Sequence, residues 1–125
     1  LYADNLTRKG SFVTEAARAF DGDLDTYWPA PRNRRKAVLE VRFAEPVSFD
    51  RTVAMEWLNV GQRVQKYEVQ AWEGARWKTL CQGTTIGHKK IDVFPRTSSR
   101  RVRLRILAAR GAPQIREFQI YEGTR

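Results

Sequence analysis

The densest acidic stretch of this basic chain is "AFDGDLDTYW", residues 19–28, which holds Asp21, Asp23 and Asp25. Carboxylates this close raise one another's pKa, so they require full solvation or a compensating positive charge. A bound divalent cation would supply that charge, because a tight loop begun by a flexible glycine could turn the oxygens of Asp21, Asp23 and Thr26 toward one point. Calcium tolerates such an irregular oxygen shell better than magnesium does.

The spacing of these residues excludes one familiar calcium loop and leaves another interpretation open. An EF-hand needs glycine at its sixth position and a bidentate Glu at its twelfth, whereas here the glycine is second and the twelfth residue is Arg32. An Asx-type turn, in which the aspartates accept hydrogen bonds from backbone amides, explains the same spacing without a metal.

The composition indicates one globular domain. The chain has 125 residues with 42% hydrophobic side chains, enough for a core, and 23 Lys and Arg against 14 Asp and Glu give a net charge of +9. The single cysteine, Cys81, excludes an internal disulfide. No apolar run is long enough for a membrane helix.

Alternating apolar and polar residues predict strands from residue 37 onward. The predicted strands are separated by turn signals such as "AEPVSFD" (44–50) and "PRTSS" (95–99), and they cover 37–43, 51–58, 65–72, 75–82, 88–94, 100–107 and 114–121. The only predicted helix is "TEAARAF", residues 14–20. This pattern predicts an all-β fold, an antiparallel β-sandwich forming a single domain over 1–125.

Several of these segments resemble one family. "AFDGDLDTYW", "LEVRF", "YEVQAW", "ARWKTL" and "IREFQIY" are similar to the discoidin, or factor V/VIII type C, superfamily, a discoidin-like jelly roll, and especially to its family 32 carbohydrate-binding branch. "EWLNVGQRVQKYEVQAW" and "GTTIGHKKIDVFP" resemble the C-terminal β-sandwich of bacterial family 29 α-L-fucosidases.

The resemblance implies a structural calcium between the acidic stretch and the last strand. The implied ligands are the side-chain oxygens of Asp21, Asp23 and Thr26, the backbone carbonyls of Arg18 and Arg116, and the carboxylate of Glu117. On this interpretation the ion would cross-link the two ends of the domain and stabilise the fold.

The resemblance also implies a function, that of a non-catalytic carbohydrate-binding module in a bacterial glycoside hydrolase, an α-L-fucosidase. Its partners would be glycans with terminal galactose- or fucose-type sugars and the catalytic domain of the same chain. The family implies a secreted or periplasmic protein, and the isolated domain is expected to be monomeric. Lipid binding is disfavoured, because the segments 29–36 and 59–66 are polar or basic where membrane-binding relatives carry apolar residues.

Sugar sites combine an aromatic ring with polar side chains that hydrogen-bond hydroxyl groups. The predicted connections offer such side chains, with two rings nearby: Arg32, Asn33, Asn59, Arg63 and His88, with Trp28 and Trp57. Packing in the interior is the competing interpretation for both rings. Arg63 could instead contact a neighbouring domain, and His88 could be a simple loop residue.

Three basic residues, Arg101, Arg103 and Arg105, alternate with apolar ones and are expected on one sheet face. They raise two alternatives: a polyanion-binding module, or a structural appendage that contacts the catalytic domain and binds no sugar. Nucleic acid is disfavoured because aromatic residues are not interleaved with the arginines. Trp72 and Trp77 flank a hairpin and are predicted to form a cross-strand pair.

No catalytic constellation is visible, because His88 is the only histidine and Cys81 has no activating neighbour in the sequence.

Overall fold

The computed structural model describes residues 5–12, 19–20, 27–30 and 34–123. Seven strands occupy most of these residues: β1 Gly10–Phe12, β2 Trp28–Pro29, β3 Ala37–Glu56, β4 Val64–Glu73, β5 Arg76–Gly83, β6 Lys90–Ala109 and β7 Gln114–Tyr121. Short 3₁₀ helices cover Leu6–Lys9 and Leu58–Val60. No helix in this described part is long and apolar enough to cross a membrane. Most of the helix predicted for 14–20 lies outside it.

Two long strands, β3 and β6, each run continuously where two strands were predicted. The predicted breaks at 44–50 and 95–99 are therefore wrong. The pairing of β3 with β6 instead shifts register between Arg42 and Val47 and again between Phe49 and Arg51. Such irregularities bend a strand and accommodate a proline without ending it, which explains how Pro46 lies inside β3.

These bends divide the sheet into two layers. In the front layer the first half of β3 pairs with β1 and with the second half of β6, and β4 and β5 extend the sheet beyond β6. In the back layer the second half of β3 pairs with the first half of β6 and with β7, and β2 pairs with β7. Every pair is antiparallel, which confirms the predicted all-β sandwich.

The core lies between the layers and is built from the alternation seen in the sequence. Leu39 of β3 lies opposite Leu104 of β6, and each is at most 1% exposed. The back layer contributes Phe118 and Ile120, both fully buried. Burial of each such side chain contributes roughly 1.5–3 kcal/mol, so the two faces hold the layers together.

The strand directions sort the connections into two groups. Residues 34–36 and the connections 57–63, 84–89 and 110–113 lie at one end of the sandwich, which we call the loop end. The bend of β3 and the β4–β5 hairpin lie at the other end, the far end.

Both termini of the described chain lie at the far end. The Asn5 side chain accepts hydrogen bonds from the backbone N–H groups of Thr7 (3.2 Å) and Ile120 (3.1 Å). This contact attaches the N-terminal segment to the last strand. The loop end is consequently remote from both termini.

A carboxylate holds the other terminus. Asp50 Oδ1 accepts hydrogen bonds from the backbone N–H of Gly123 (2.9 Å) and from Arg51 Nε (2.8 Å). The hydrogen bond from Arg51 is the largest of the effects that lower the pKa of Asp50 from 3.8 to about 2. Because the carboxylate is favoured in the folded state, its stabilisation is complete above about pH 4 and is lost as the pH falls through about 2.

We therefore expect Asp50→Asn to lower the free energy of unfolding at pH 7 by about 1–2 kcal/mol. Urea unfolding followed by fluorescence would measure the difference, which should shrink as the pH approaches 2. The exposed Glu45→Gln is the matched control, since it removes a nearby charge without a hydrogen bond. An Asp50→Asn defect that is unchanged at low pH would contradict the assignment.

Candidate functional site

One buried carboxylate organises the loop end. Glu56, the last residue of β3, is 2% exposed. Its Oε2 accepts hydrogen bonds from the backbone N–H groups of Arg63 (2.9 Å) and Val64 (3.2 Å), and its Oε1 accepts one from Gly87 (2.9 Å). The backbone N–H of Glu56 also donates to the Gly87 carbonyl at 2.9 Å. Since a buried charge must be compensated, these donors fix the connections 57–63 and 84–89 against each other.

Arg63 extends this network to a third connection. Its Nη1 donates to the Ala112 carbonyl at 2.8 Å, and its own carbonyl accepts from the backbone N–H of Arg110 at 2.8 Å. The neighbouring backbone N–H of Trp57 donates to the carbonyl of Gln114 at 2.9 Å. The start of β7 is thereby joined to the same cluster.

The network joins the connections that carry three of the side chains predicted to contact sugar. Asn59 is exposed on the 3₁₀ helix Leu58–Val60, and His88 is exposed next to Gly87. Arg63 is half-buried and already holds the Ala112 carbonyl, so it is a structural residue of the loop end as well as a candidate ligand contact. Arg32 and Asn33 lie outside the described residues.

The two predicted rings have other partners. Trp28 is 8% exposed and belongs to the core, where it lies opposite Ile115. Its ring does not face solvent, which confirms the interior-packing interpretation and removes it as a stacking platform. Trp57 is half-buried and follows the end of β3, so its predicted place inside a strand is wrong.

Trp57 belongs to a stack rather than to the core. Its ring lies parallel to that of Tyr27, with centroids 4.5 Å apart, and the Arg116 guanidinium lies 5.2 Å from its centroid. Stacking and the cation–π contact together hold Tyr27, near the end of the acidic stretch, against β7.

Only part of the predicted calcium site lies in the described chain. Arg18, Asp21, Asp23 and Thr26 lie outside it, whereas Arg116 and Glu117 are on β7. Glu117 is fully buried, as a carboxylate committed to an ion or to buried donors would be. Its oxygen suits a hard cation such as calcium, so this half of the site fits the prediction. No group of three metal-binding side chains occurs within the described residues themselves.

The predicted arginine face lies on the outer side of the front layer, and its charges are largely satisfied there. Arg101 donates to both oxygens of Glu40, at 2.7 and 3.2 Å. Burial of Glu40 raises its pKa, but hydrogen bonds from Arg101 and Arg42 outweigh this effect and lower the pKa below its ordinary value. Arg105 Nη1 lies 3.0 Å from Glu68 Oε1.

Aromatic residues are in fact interleaved with this face, contrary to the sequence interpretation. Trp72 and Trp77 lie opposite each other on β4 and β5 and pack edge to face at 5.4 Å, which confirms the predicted pair. Arg103 lies 4.0 Å from the Trp77 centroid, and Arg101 lies 4.8 Å from it. The sequence did not reveal this contact, because the rings lie on β4 and β5 and the arginines lie on β6, more than 20 residues further along the chain. The rings are covered by the arginines rather than open to stack on nucleic-acid bases.

The lone thiol is chemically quiet. Burial of Cys81, together with the charge of Asp92, raises the pKa of the thiol to about 12. The Asp92 carboxylate accepts a hydrogen bond of 2.6 Å from the buried Tyr67 hydroxyl, and burial raises the pKa of that phenol too. A protonated thiol is a poor nucleophile. Cys81 instead packs against the hydrophobic core.

The residue that sequence reasoning missed is Glu56. It lies near the end of the predicted strand 51–58, and its neighbours in "RTVAME" do not mark it as buried. The available signal was the pair of glycine-containing connections that follow, Gly61 and Gly87, which adopt φ of 85° and 65°. Such turns present backbone N–H groups that a nearby carboxylate can accept from.

Comparisons with known proteins agree with this architecture. The F5/8 type C domain family matches residues 4–118, and the chain belongs to that family. Alpha-L-fucosidase 1 of Arabidopsis thaliana is 26% identical over 135 residues, covering 97% of this chain and 27% of the relative. The chain thus spans about a quarter of that protein's length.

Solved structures show the same fold. A GH29 fucosidase of Ruminococcus gnavus in complex with fucose has a TM-score of 0.85 and 24% identity, covering 97% of this chain and 27% of its own. The CBM32-1 and CBM32-2 domains of Clostridium perfringens ZmpB in complex with GalNAc have a TM-score of 0.76 and 18% identity, covering 98% and 35%. The fold is therefore that of the sandwich found in fucosidase chains and in carbohydrate-binding modules.

Because Glu56 accepts from three backbone donors, we expect Glu56→Gln to lower the free energy of unfolding by about 2 kcal/mol. The amide retains one acceptor oxygen but turns an N–H group toward a backbone donor. Hydrogen exchange should also accelerate at the N–H groups of Arg63, Val64 and Gly87. Exposed Glu73→Gln is the matched control and should change neither quantity. Unchanged exchange at Gly87 would mean that the two connections are not joined through this carboxylate.

Proposed function

We propose that this chain is a non-catalytic carbohydrate-binding module of a glycoside hydrolase, an α-L-fucosidase, and that it holds the enzyme near its glycans by weak contacts at the loop end. The observation that carries the proposal is the Glu56 network, which collects polar connections into one rigid surface. Binding residues are commonly placed on loops that a rigid sandwich positions. The relatives in fucosidase chains and the module solved with GalNAc support this choice.

The position of the termini supports the same function. Asn5 and Gly123 are held at the far end, so a domain joined there would leave the loop end accessible to glycans. A terminal galactose- or fucose-type sugar is the proposed ligand, with Asn59 and His88 as hydrogen-bonding residues and Arg32 and Asn33 as further contacts. A secreted or periplasmic location follows from this role, because the glycans it would bind are extracellular.

The proposed calcium site has a stabilising role. Arg116 and Glu117 would contribute from β7, and Arg18, Asp21, Asp23 and Thr26 would complete the shell. When bound, the ion would place a positive charge beside the buried Glu117 carboxylate. Arg116 contacts the Trp57 ring, and Trp57 directly follows Glu56, so an ion held at Arg116 and Glu117 would also support the loop end.

Calcium binding predicts a shift in thermal stability. Calcium at about 100 times its dissociation constant should raise the free energy of unfolding by about 2.7 kcal/mol relative to the chain in chelator. Differential scanning calorimetry would measure this, and the intrinsic tryptophan fluorescence, to which Trp57 contributes, should change in parallel. Asp23→Asn should abolish the shift, whereas Glu45→Gln should preserve it. An identical melting temperature in calcium and chelator would exclude the site.

Glycan binding is tested with the calcium-loaded 125-residue chain on a glycan array at physiological salt. Hits sharing one terminal sugar and competed by that free sugar are the expected result. Asn59→Ala and His88→Ala should each weaken binding about tenfold, the effect of losing a good hydrogen bond. Lys89→Ala, exposed beside His88, is the control. An array without hits would favour a structural appendage.

A further inference from the structure

A basic depression lies beside the loop end, on the outer side of the front layer. It has a volume of about 330 Å³ and is lined by Arg34, Lys36, Ala37, Val38, Arg105, Ile106 and Leu107. This volume is at the lower end of the range for small-ligand sites. Residues 34–36 lead into β3, and Leu107 on β6 closely precedes Arg110, whose N–H donates to the Arg63 carbonyl. The depression is therefore continuous with the connections that Glu56 holds.

Its charge is predominantly positive. Three basic side chains line it, and among the residues that the structure describes they pair with one carboxylate, Glu68, 3.0 Å from Arg105 Nη1. Arg34 and Lys36 are exposed and have no ion pair with any described residue. Within the described residues, a single neighbouring carboxylate leaves the charges of Arg34 and Lys36 unpaired in one concave surface, which is the arrangement that attracts an anionic group.

The floor of the depression is apolar. Val38 is 47% exposed, and Leu107, which also lines the depression, is half-buried. Pyranose rings have an apolar face of C–H groups that packs on such a surface, while an acidic substituent would reach the guanidinium and ammonium groups at the rim. None of the described residues that line the depression is aromatic, and these residues therefore offer no stacking platform for nucleic-acid bases.

The arginine face itself is a poorer anion site. Arg101 is committed to Glu40 in a two-pronged pair, and Arg103 Nε donates to Gln70 Oε1 at 2.7 Å while packing on Trp77. An incoming anion would have to compete with partners already in place. The uncompensated charge is at the edge of this face, where the connection before β3 meets β6.

We propose that the Arg34–Lys36–Arg105 depression is an acidic-sugar subsite, which binds the sulfate or carboxylate of a glycan whose neutral part contacts the loop end. This inference rests on the proposed function and narrows it to acidic glycans. Arg34 and Lys36 would provide charge-assisted hydrogen bonds, and Val38 would contact the ring. The matching ligands are sulfated galactosides and uronate-containing oligosaccharides.

The test compares ligand pairs that differ only in charge. Isothermal titration calorimetry would measure binding of the 125-residue chain to galactose 6-sulfate against galactose, and to trigalacturonate against its methyl ester. In each pair where the acidic group is recognised, the acidic member should bind about tenfold more tightly, because charge-assisted hydrogen bonds contribute roughly that factor. The two pairs separate sulfate recognition from carboxylate recognition.

Variants locate the effect. Arg34→Gln/Lys36→Gln should abolish the preference for the acidic members while leaving affinity for the neutral members unchanged. Arg76→Gln/Arg100→Gln removes the same charge from exposed residues outside the depression and should preserve the preference. Equal losses in both double variants would indicate a nonspecific charge effect and overturn the inference.

The remaining outcomes distinguish the two proposals. Binding of neutral sugars with no acidic preference would overturn the subsite and leave the carbohydrate-binding function intact. Absence of binding to every sugar would overturn both. Binding of a single-stranded oligonucleotide as tight as that of the acidic sugars, and lost in Arg34→Gln/Lys36→Gln, would identify a general polyanion site instead.

Discussion

The loop end depends on a single buried charge. Glu56 cannot be left without partners in the interior, and backbone donors from two connections provide them. Because both carboxylate oxygens are used, the connections 57–63 and 84–89 are held relative to each other and to the end of β3. Arg63 carries the constraint to 110–113 through the Ala112 carbonyl. Hydrogen bonds thereby join three stretches of irregular backbone into one surface.

The outer side of the front layer shows how a highly basic chain remains well packed. Arg101 and Arg105 are each paired with a glutamate, and Arg103 rests on Trp77. Burial and the neighbouring Arg105 charge lower the pKa of Arg103, whereas the hydrogen bond that Arg101 donates to Glu40 raises the pKa of Arg101. Most of the alternating positive charge thus contributes to cohesion of the sheet. The basic depression near the loop end adds Arg34 and Lys36 at the edge of this face.

The two ends of the sandwich have different constraints. At the far end Asn5 and Asp50 attach the terminal segments to the sheet, and both contacts use side chains that accept from backbone N–H groups. At the loop end the same kind of bond organises surface connections instead. This difference between the two ends suits the proposed module, which would be joined to a larger chain at the far end and would contact its ligand at the loop end.

Much of this architecture could be predicted from the sequence. Alternation in "AVLEVRF" and "RRVRLRIL" is a local property of the chain, and it correctly indicated strands, their buried faces and the antiparallel sandwich. The Trp72–Trp77 pair was equally predictable, since a short hairpin places such residues opposite each other. The resemblance of several segments also indicated the family that the comparison over residues 4–118 then confirmed.

Other features depended on contacts between distant residues. Whether Pro46 ends β3 or bends it depends on the register of β6, and whether Trp57 lies in the core or in a stack depends on Tyr27 and Arg116. The sequence by itself determined which residues alternate, which connections are polar and how much positive charge the chain carries. Only the tertiary structure decided which arginines meet carboxylates and which carboxylate holds the loops, because burial and pairing of charge arise when remote strands come together.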